Sequence, residues 1–450
     1  METKKQNFAR IFRMAWPAIV QEALNTIVTY IDAALIGGLG ANASAAVGLT
    51  GTIFWLVSSI PSAFGVGVLS VCAQADGAKD ENLIKKAGQQ ALFLALALGL
   101  IMMGLTLGVS PYIAEWLGGD PVILKDATTY FTITCLPMVF RICVIVLSNA
   151  LRGVSDMKTP MFINLLMNVV NIVLDFFLIY PTREIFGIMV PGAGLGVLGT
   201  SIGTAASFVF GGVAILYKFC TNKRFGFRET GFHYDKSVMK RCLDIAFPSA
   251  AKRALICFGH IIFSSMIARL GVIPFAAHTI AIQAEQAFYI PGYGLQSAAA
   301  TLAGNALGEG NEKKLRKTTF NICSVAFTLM FIAGTILFIF AEGLMSLFTP
   351  DAEVIRLGAA VLRIVAISEP LYGVMVILEG VFDGIGDTKA PVLYALITMW
   401  GIRILGSFLL INIFHLGLQA VWIMMIADNI GRCLLLLTRF LKRHKAGILQ

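Results

Sequence analysis

Apolar residues run through this chain in twelve long blocks, at about 14–39, 46–75, 87–109, 129–151, 160–181, 194–219, 245–270, 275–304, 318–341, 356–381, 391–413 and 417–438. Each is long enough for a helix to cross the roughly 30 Å hydrocarbon core of a bilayer. Turn-forming residues separate them, among them Gly118-Gly119-Asp120-Pro121, Pro181, Pro191-Gly192 and Pro350-Asp351. The pattern predicts an all-α polytopic membrane protein with twelve transmembrane helices.

Polar residues inside those blocks are few, which makes each one informative. The first block, from Trp16-Pro17 to Gly40, holds Asp32 well inside it. A carboxylate at mid-membrane costs about 2.5–3.5 kcal/mol on insertion scales and marks a functional site by default. The plainer alternative is that it caps a helix or pairs with a polar neighbour.

This block also has a copy. Phe247-Pro248 to Gly271 repeats it, and Pro17 and Pro248 are 231 residues apart. The same offset relates Gly40-Ala41-Asn42-Ala43 to Gly271-Val272-Ile273-Pro274. It also relates Gln74-Ala75-Asp76-Gly77 to Asn305-Ala306-Leu307-Gly308, and Ser155-Asp156-Met157-Lys158-Thr159-Pro160 to Gly386-Asp387-Thr388-Lys389-Ala390-Pro391. Six spans per copy is an even number, so both copies enter from the same side. Parallel repeats of this kind bind substrate between their halves. The expected organisation is an N-lobe over 1–220 with spans 1–6, a linker over 221–240 and a C-lobe over 241–450. These form two pseudo-symmetric six-helix lobes around a central cavity.

Charge sets the orientation. Basic residues gather at the N-terminus (Lys4, Lys5, Arg10, Arg13), at Lys79, Lys85 and Lys86, at Arg152 and Lys158, in the 218–241 stretch, at Lys313, Lys314, Arg316 and Lys317, at Lys389, and at Arg439, Lys442, Arg443 and Lys445. The other side shows Lys125, Arg183, Arg269 and Arg356. By the positive-inside rule both termini are cytoplasmic. The net charge of +9 therefore reports membrane orientation rather than nucleic-acid binding, and only 14% of residues are charged against about 25% in soluble domains. The first block is too long for a cleavable signal peptide and lacks an A-x-A site. The eight cysteines show no metal-ligand or redox spacing and read as reduced apolar fillers.

With these pieces in place the chain resembles the MATE (multidrug and toxic compound extrusion) transporters from about residue 11 to 440. The resemblance rests on WPAIV and YIDAALIGGLG in span 1, LRGVSDMKTP after span 4, NIVLDFFLIY in span 5, GLGVLGTSIGTAAS in span 6 and PGYGLQSAAATLAGNALGEG in span 8. The last is closer to the prokaryotic DinF-like branch than to the NorM branch. The resemblance implies an N-lobe cation-coupling site at Asp32, Asn171, Asp175, Thr200 and Thr204, a hinge at Pro17, and H⁺ or Na⁺ as coupling ion, with Na⁺ held at Asp32, Asn171 and Asp175. No other cofactor is expected.

Spacing agrees with that assignment. Asn171 and Asp175 share a helix face, as do Thr200 and Thr204. Two carboxylates in one site cannot both ionise cheaply, so one can hold a proton; the same oxygens suit Na⁺. Proline loosens the helix around position 17, although prolines also simply start helices.

The C-lobe departs from the repeat. Phe263 stands at the copy position of Asp32, and the span 7 positions where some branches carry an acid read Lys252, Arg253 and Cys257. Acids remain at Glu285, Glu369 and Glu379, with Arg363 and Arg403 as candidate ion-pair partners. Glu285, Tyr289 and Glu379 are the substrate-cavity candidates, since intramembrane acids line pathways and aromatics suit organic cations. His260 and His278 read as packing residues.

A G-x-x-x-x-G-K-[ST] loop is absent, which excludes ATP-driven pumping by this chain, and no H-E-x-x-H points to a membrane enzyme. The nearest rival is a lipid-linked oligosaccharide or lipid flippase of the same superfamily, disfavoured by twelve spans and an acidic N-lobe. The expected activity is secondary active export of cationic, amphipathic compounds from the cell in exchange for H⁺ or Na⁺. Its partners are small organic cations and membrane lipids, not nucleic acid, and its working unit is a monomer in the cell membrane.

Overall fold

Residues 4–185, 187–227 and 231–445 are described by the structure, a computed structural model. Arg228, counted above among the basic linker residues, lies outside them. Helices α1 (Lys4–Gly37), α2 (Ala41–Ala78), α3 (Glu81–Trp116), α4 (Pro121–Cys135), α5 (Met138–Gly153), α6 (Lys158–Leu178) and α7 (Val197–Thr221) build the first half. The second half follows with α8 (Lys236–Ala268), α9 (Val272–Gln286), α10 (Ile290–Gly308), α11 (Glu312–Ser346), α12 (Ala352–Ala366), α13 (Glu369–Ile385), α14 (Lys389–Ala395), α15 (Leu405–Asn412) and α16 (Leu418–Lys445). Among the described residues nine helical segments are long and apolar enough to cross a membrane by themselves, and two bent pairs bring the number to eleven. Every expected span falls on one of these or on the α9–α10 segment.

Four expected spans are not single α-helices. The span at 129–151 is α4 and α5, bent by 52°, and the span at 356–381 is α12 and α13, bent by 58°. Both breaks lie at equivalent repeat positions, with Cys135 and Met138 matching Ala366 and Glu369. Prolines cause them: Pro137 separates α4 from α5, and Pro370 opens α13. Proline lacks the N–H and clashes with the preceding turn, so it bends or ends a helix. The span at 275–304 is split by a 3₁₀ turn over Ala287–Tyr289, just before Pro291. A π-helical stretch, Leu396–Ile404, joins α14 to α15. The loop expected at Pro181 and Pro191-Gly192 is instead an antiparallel hairpin of β1 (Pro181–Ile185) and β2 (Ile188–Ala193).

Helix starts repeat with the sequence. Asp80 Oδ1 accepts from Leu83 N at 2.9 Å, and its copy Asn311 accepts from Lys314 N at 2.9 Å. Asp120 caps α4 through Val122 N, and its copy Asp351 caps α12 through Glu353 N. Such caps satisfy donors that the first helical turn leaves without partners.

By compactness the chain divides into two units. The first unit comprises Met1–Ile19, Ala73–Lys79 and Asp244–Gln450; the second comprises Val20–Cys72 and Asp80–Leu243. Helix α1 thus passes from one unit to the other three residues after Pro17.

Within the first unit an apolar core gathers Phe263, Ile267, Leu337, Met345, Leu362 and Trp422. Glycines there allow main chains to touch. A Cβ on Gly77 would fall on the Asn305 carbonyl, and one on Gly308 would fall on the Gln74 carbonyl, its repeat equivalent. Within the second unit the connecting stretch after α7 is strapped down. Gln89 and Gln90 donate to the Gly231 and His233 carbonyls at 2.8 and 2.9 Å, and Lys86 pairs with Asp235 at 3.0 Å.

Candidate functional site

Helix α6 presents Asn164, Asn168, Asn171 and Asp175 on one face, at spacings of four, three and four residues, and all four are buried. The spacing is that of a helix stripe. Asp175 is fully buried, at 0% exposure. Its Oδ2 accepts from Asn171 Nδ2 at 3.4 Å and from Thr200 Oγ1 on α7 at 3.3 Å. Its Oδ1 has no hydrogen-bond partner among the described residues. No lysine or arginine among the described residues lies within ion-pair distance of it. Asp32 on α1 is within electrostatic reach, as is Tyr130.

Close helix approach shapes this pocket. The Gly203 Cα lies so near that a Cβ would land on Asp175 Oδ1, and a Cβ on Gly199 would meet the Leu178 main chain. The small residues of α7 therefore let α6 and α7 press together around the carboxylate. Of the residues predicted for this site, the structure brings together Asp32, Asn171, Asp175 and Thr200. Thr204 lies one turn beyond Thr200 and is not bonded to Asp175. Asn168, overlooked above, reaches both Asn25 on α1 and Asn164, at 3.4 and 3.2 Å. Its signal was present in the spacing of the α6 stripe. Pro17 is buried inside α1, and the neighbouring Ile19 main chain would meet a Cβ placed on Gly294.

A second acidic cluster sits in the first unit. Glu285 and Glu369 are both almost fully buried, with exposures of 2% and 1%, and their carboxyls are neighbours. Tyr289 donates its hydroxyl to Glu285, and its ring packs on Tyr372 at 4.5 Å. Tyr372 and Tyr293 share a hydroxyl contact of 3.0 Å. Neither Glu369 oxygen has a hydrogen-bond partner among the described residues. Glu369, not among the substrate-cavity candidates named above, opens α13 just past the α12–α13 bend and meets Glu285 there.

Glu379 lies elsewhere, in a buried ion-pair network. Lys252 is 3.4 Å from Glu379 and 4.0 Å from Asp383; Arg432 is 3.7 Å from Glu379 and 2.9 Å from Asp428; Arg403 is 2.8 Å from Asp428. Three cations face three anions, so Glu379 already has balancing charge. Arg363 pairs with the exposed Glu342 instead, at 2.9 Å. Phe263 packs in the apolar core with Arg403 over its ring, and His278 accepts from Trp422 Nε1 at 3.2 Å, a packing role. Among the described residues no group of His, Cys, Asp and Glu could hold a multidentate metal.

Equivalent positions in the two halves carry different charge. Arg152 donates to Gln21 at 3.0 Å in the second unit, while the copy pair in the first unit is Asp383 and Lys252. Arg141 touches Phe54 and Ser58 in the second unit, while the copies in the first unit are Tyr372, Glu285 and Tyr289.

The family model MatE matches residues 17–177 and again 248–409, the two halves of the repeat. The chain is 27% identical over 441 residues to the "Probable multidrug resistance protein NorM" of Thermotoga maritima, covering 98% of this chain and 94% of that protein. Its backbone superposes on a structure described as "Crystal structure of MATE in the bent conformation" with a TM-score of 0.88 at 22% identity, covering 98% of this chain and 96% of that one. It matches an "Outward-facing conformation of a multidrug resistance MATE family transporter of the MOP superfamily" with a TM-score of 0.89 at 22% identity, covering 97% and 96%. With both halves of the repeat matched by the same family, and with that fold throughout, the chain belongs to the MATE family of multidrug efflux transporters, multi-pass membrane proteins that are not enzymes.

Proposed function

We propose that this protein is a secondary active exporter that exchanges H⁺ or Na⁺ for organic cations across the cell membrane, with both termini cytoplasmic. The observation that carries this reading is Asp175: a fully buried carboxyl that, among the described residues, is held only by neutral partners and has one oxygen unbonded. A charge so placed is costly unless a cation neutralises it. A proton would do so directly. Na⁺ would find the carboxylate oxygens and the Thr200 hydroxyl oxygen, which suit a hard cation.

Asp32 is the second carboxyl of the site, and neutralising both would remove their mutual repulsion. Helix α1 would then bend near Pro17, where the chain passes from one compact unit to the other. Coupling requires that the ion and the exported compound favour different states, since a ligand shifts an equilibrium only by its differential affinity.

Glu285, Glu369 and the tyrosines around them supply negative charge and aromatic faces in the first unit, which suits an organic cation. Glu379 takes no part in this contact, because Lys252 and Arg432 balance it. The Lys252, Arg253 and Cys257 positions, which lack an acid, support assignment to the DinF-like branch.

The test is dye flux. Purified protein in liposomes would be given an ethidium-like cation under a pH gradient without Na⁺, and then under a Na⁺ gradient. Wild type should transport the dye under at least one gradient, and Asp32→Asn and Asp175→Asn should not. Equal flux in wild type and both variants would remove this site from the mechanism, and no flux under either gradient would favour the flippase reading.

A further inference from the structure

The second unit holds a cation that the coupling site does not use. Arg141, on α5 just after the α4–α5 bend, has its guanidinium between two rings, 5.1 Å from the Phe54 centroid and 4.8 Å from that of Phe208. Its Nη2 donates to Ser58 Oγ. Its Nη1 has no hydrogen-bond partner among the described residues. Among those residues no carboxylate lies within ion-pair distance. The ionisable side chains that face it are Cys135 and Tyr130, groups that are neutral near pH 7 in their ordinary state.

Two ring contacts and one neutral hydroxyl offset only part of the cost of removing a guanidinium from water. A planar fork with a free N–H is the geometry that binds a carboxylate or phosphate. Nη1 itself is buried, and the part of the residue that is open lies elsewhere on it.

The repeat sharpens the point. Phe54, Ser58 and Arg141 occupy the positions that Glu285, Tyr289 and Tyr372 occupy in the other half, where the same helix crossing is acidic. The two halves have therefore given one structural position opposite polarity. Tyr130 lies within electrostatic reach of Asp32, Asp175 and Arg141 alike.

We propose that Arg141, backed by Phe54, Phe208 and Ser58, is an anion-binding subsite of the second unit that recognises a carboxylate on the exported compound. The preferred substrates are then zwitterions, with a cationic amphipathic body and an acidic group, rather than bare cations. This rests on the organic-cation reading above and narrows it.

The test uses two cationic xanthylium dyes. Rhodamine 6G carries an ester, and rhodamine B carries the free carboxylate. Binding to purified full-length protein would be followed by fluorescence polarisation for wild type, Arg141→Gln and Arg141→Lys. Expected is a loss of about tenfold or more in rhodamine B affinity for Arg141→Gln, the scale of a charge-assisted hydrogen bond. Rhodamine 6G affinity should stay within about twofold, which also shows that the variant is folded. Arg141→Lys should keep only part of the rhodamine B affinity, because the charge remains and the planar fork is lost. Wild type that binds rhodamine 6G but not rhodamine B, or an Arg141→Gln variant that weakens both dyes equally or neither, overturns the subsite. Failure of wild type to bind rhodamine 6G overturns the organic-cation reading itself.

Discussion

Gly203→Ala tests the coupling site without touching a carboxyl. A Cβ at position 203 would fall on Asp175 Oδ1 and lie 3.1 Å from its Cγ and 3.4 Å from its main-chain nitrogen. Something must yield. The main chain of α6 is locked in its helix, whereas the Asp175 carboxylate is held by two long hydrogen bonds, 3.4 Å to Asn171 and 3.3 Å to Thr200. The carboxylate is the softer partner and should swing away. Overpacking of this kind costs about 1–3 kcal/mol, and replacing a helix-interior glycine by alanine returns about 0.5–1 kcal/mol. Global stability should therefore fall by no more than about 2.5 kcal/mol, while the cation-binding geometry is lost. At about 1.4 kcal/mol per tenfold, the ion concentration for half-maximal dye efflux should rise roughly tenfold or more. The assay is proteoliposome flux titrated with H⁺ and with Na⁺, beside a thermal melt. Gly104→Ala is the control, because a Cβ there meets nothing within 4 Å, and it should leave both readouts in place. If Gly203→Ala shows a wild-type ion midpoint, Asp175 does not bind the coupling ion where the structure puts it.

Three further outcomes are expected. Pro17→Ala restores a main-chain donor in α1 and should slow dye efflux several-fold while equilibrium binding of the dye stays near wild type; unchanged flux would argue that α1 does not bend there. Lys252→Met leaves Asp383 without its cation and Glu379 with Arg432 alone, so it should destabilise the protein by about 3–5 kcal/mol, whereas adding Asp383→Leu and Glu379→Met should recover much of the loss in a melt of the solubilised protein. The Lys86 ammonium beside Asp235 and the Ser237 hydroxyl hold that carboxyl well below the usual carboxylate range. Its folded-state value is therefore depressed, and its contribution is present above about pH 4 and lost only as the pH falls further. Proteolytic cleavage of the connecting stretch should stay slow and flat from pH 8 to 5 in wild type and be faster throughout that range in Lys86→Ala.

Much of this protein is written in its composition along the chain. In a bilayer every backbone group must bond internally, so a long apolar block can only be a helix, and twelve blocks foretold the membrane-spanning fold. The internal offset was equally legible, because caps such as Asp80 and Asn311, or Asp120 and Asp351, depend on local chemistry that survives as a residue pattern. Asp32 and Asp175 stood out for the same reason: a carboxylate in an apolar block has few explanations. What the linear order could not carry was the company each polar residue keeps. Glu369 was not among the candidates, yet Pro370 bends the chain beside it and the acid meets Glu285. Glu379 looked like a ligand, yet helices α8 and α16 supply Lys252 and Arg432 to balance it. Arg141 drew no notice, since one arginine in a span resembles any other until its neighbours among the described residues prove to be two phenyl rings and no carboxylate. Helix formation is decided within a few residues, but the free energy of a buried charge is decided by atoms within about 4–6 Å, and those arrive from segments far apart in the chain.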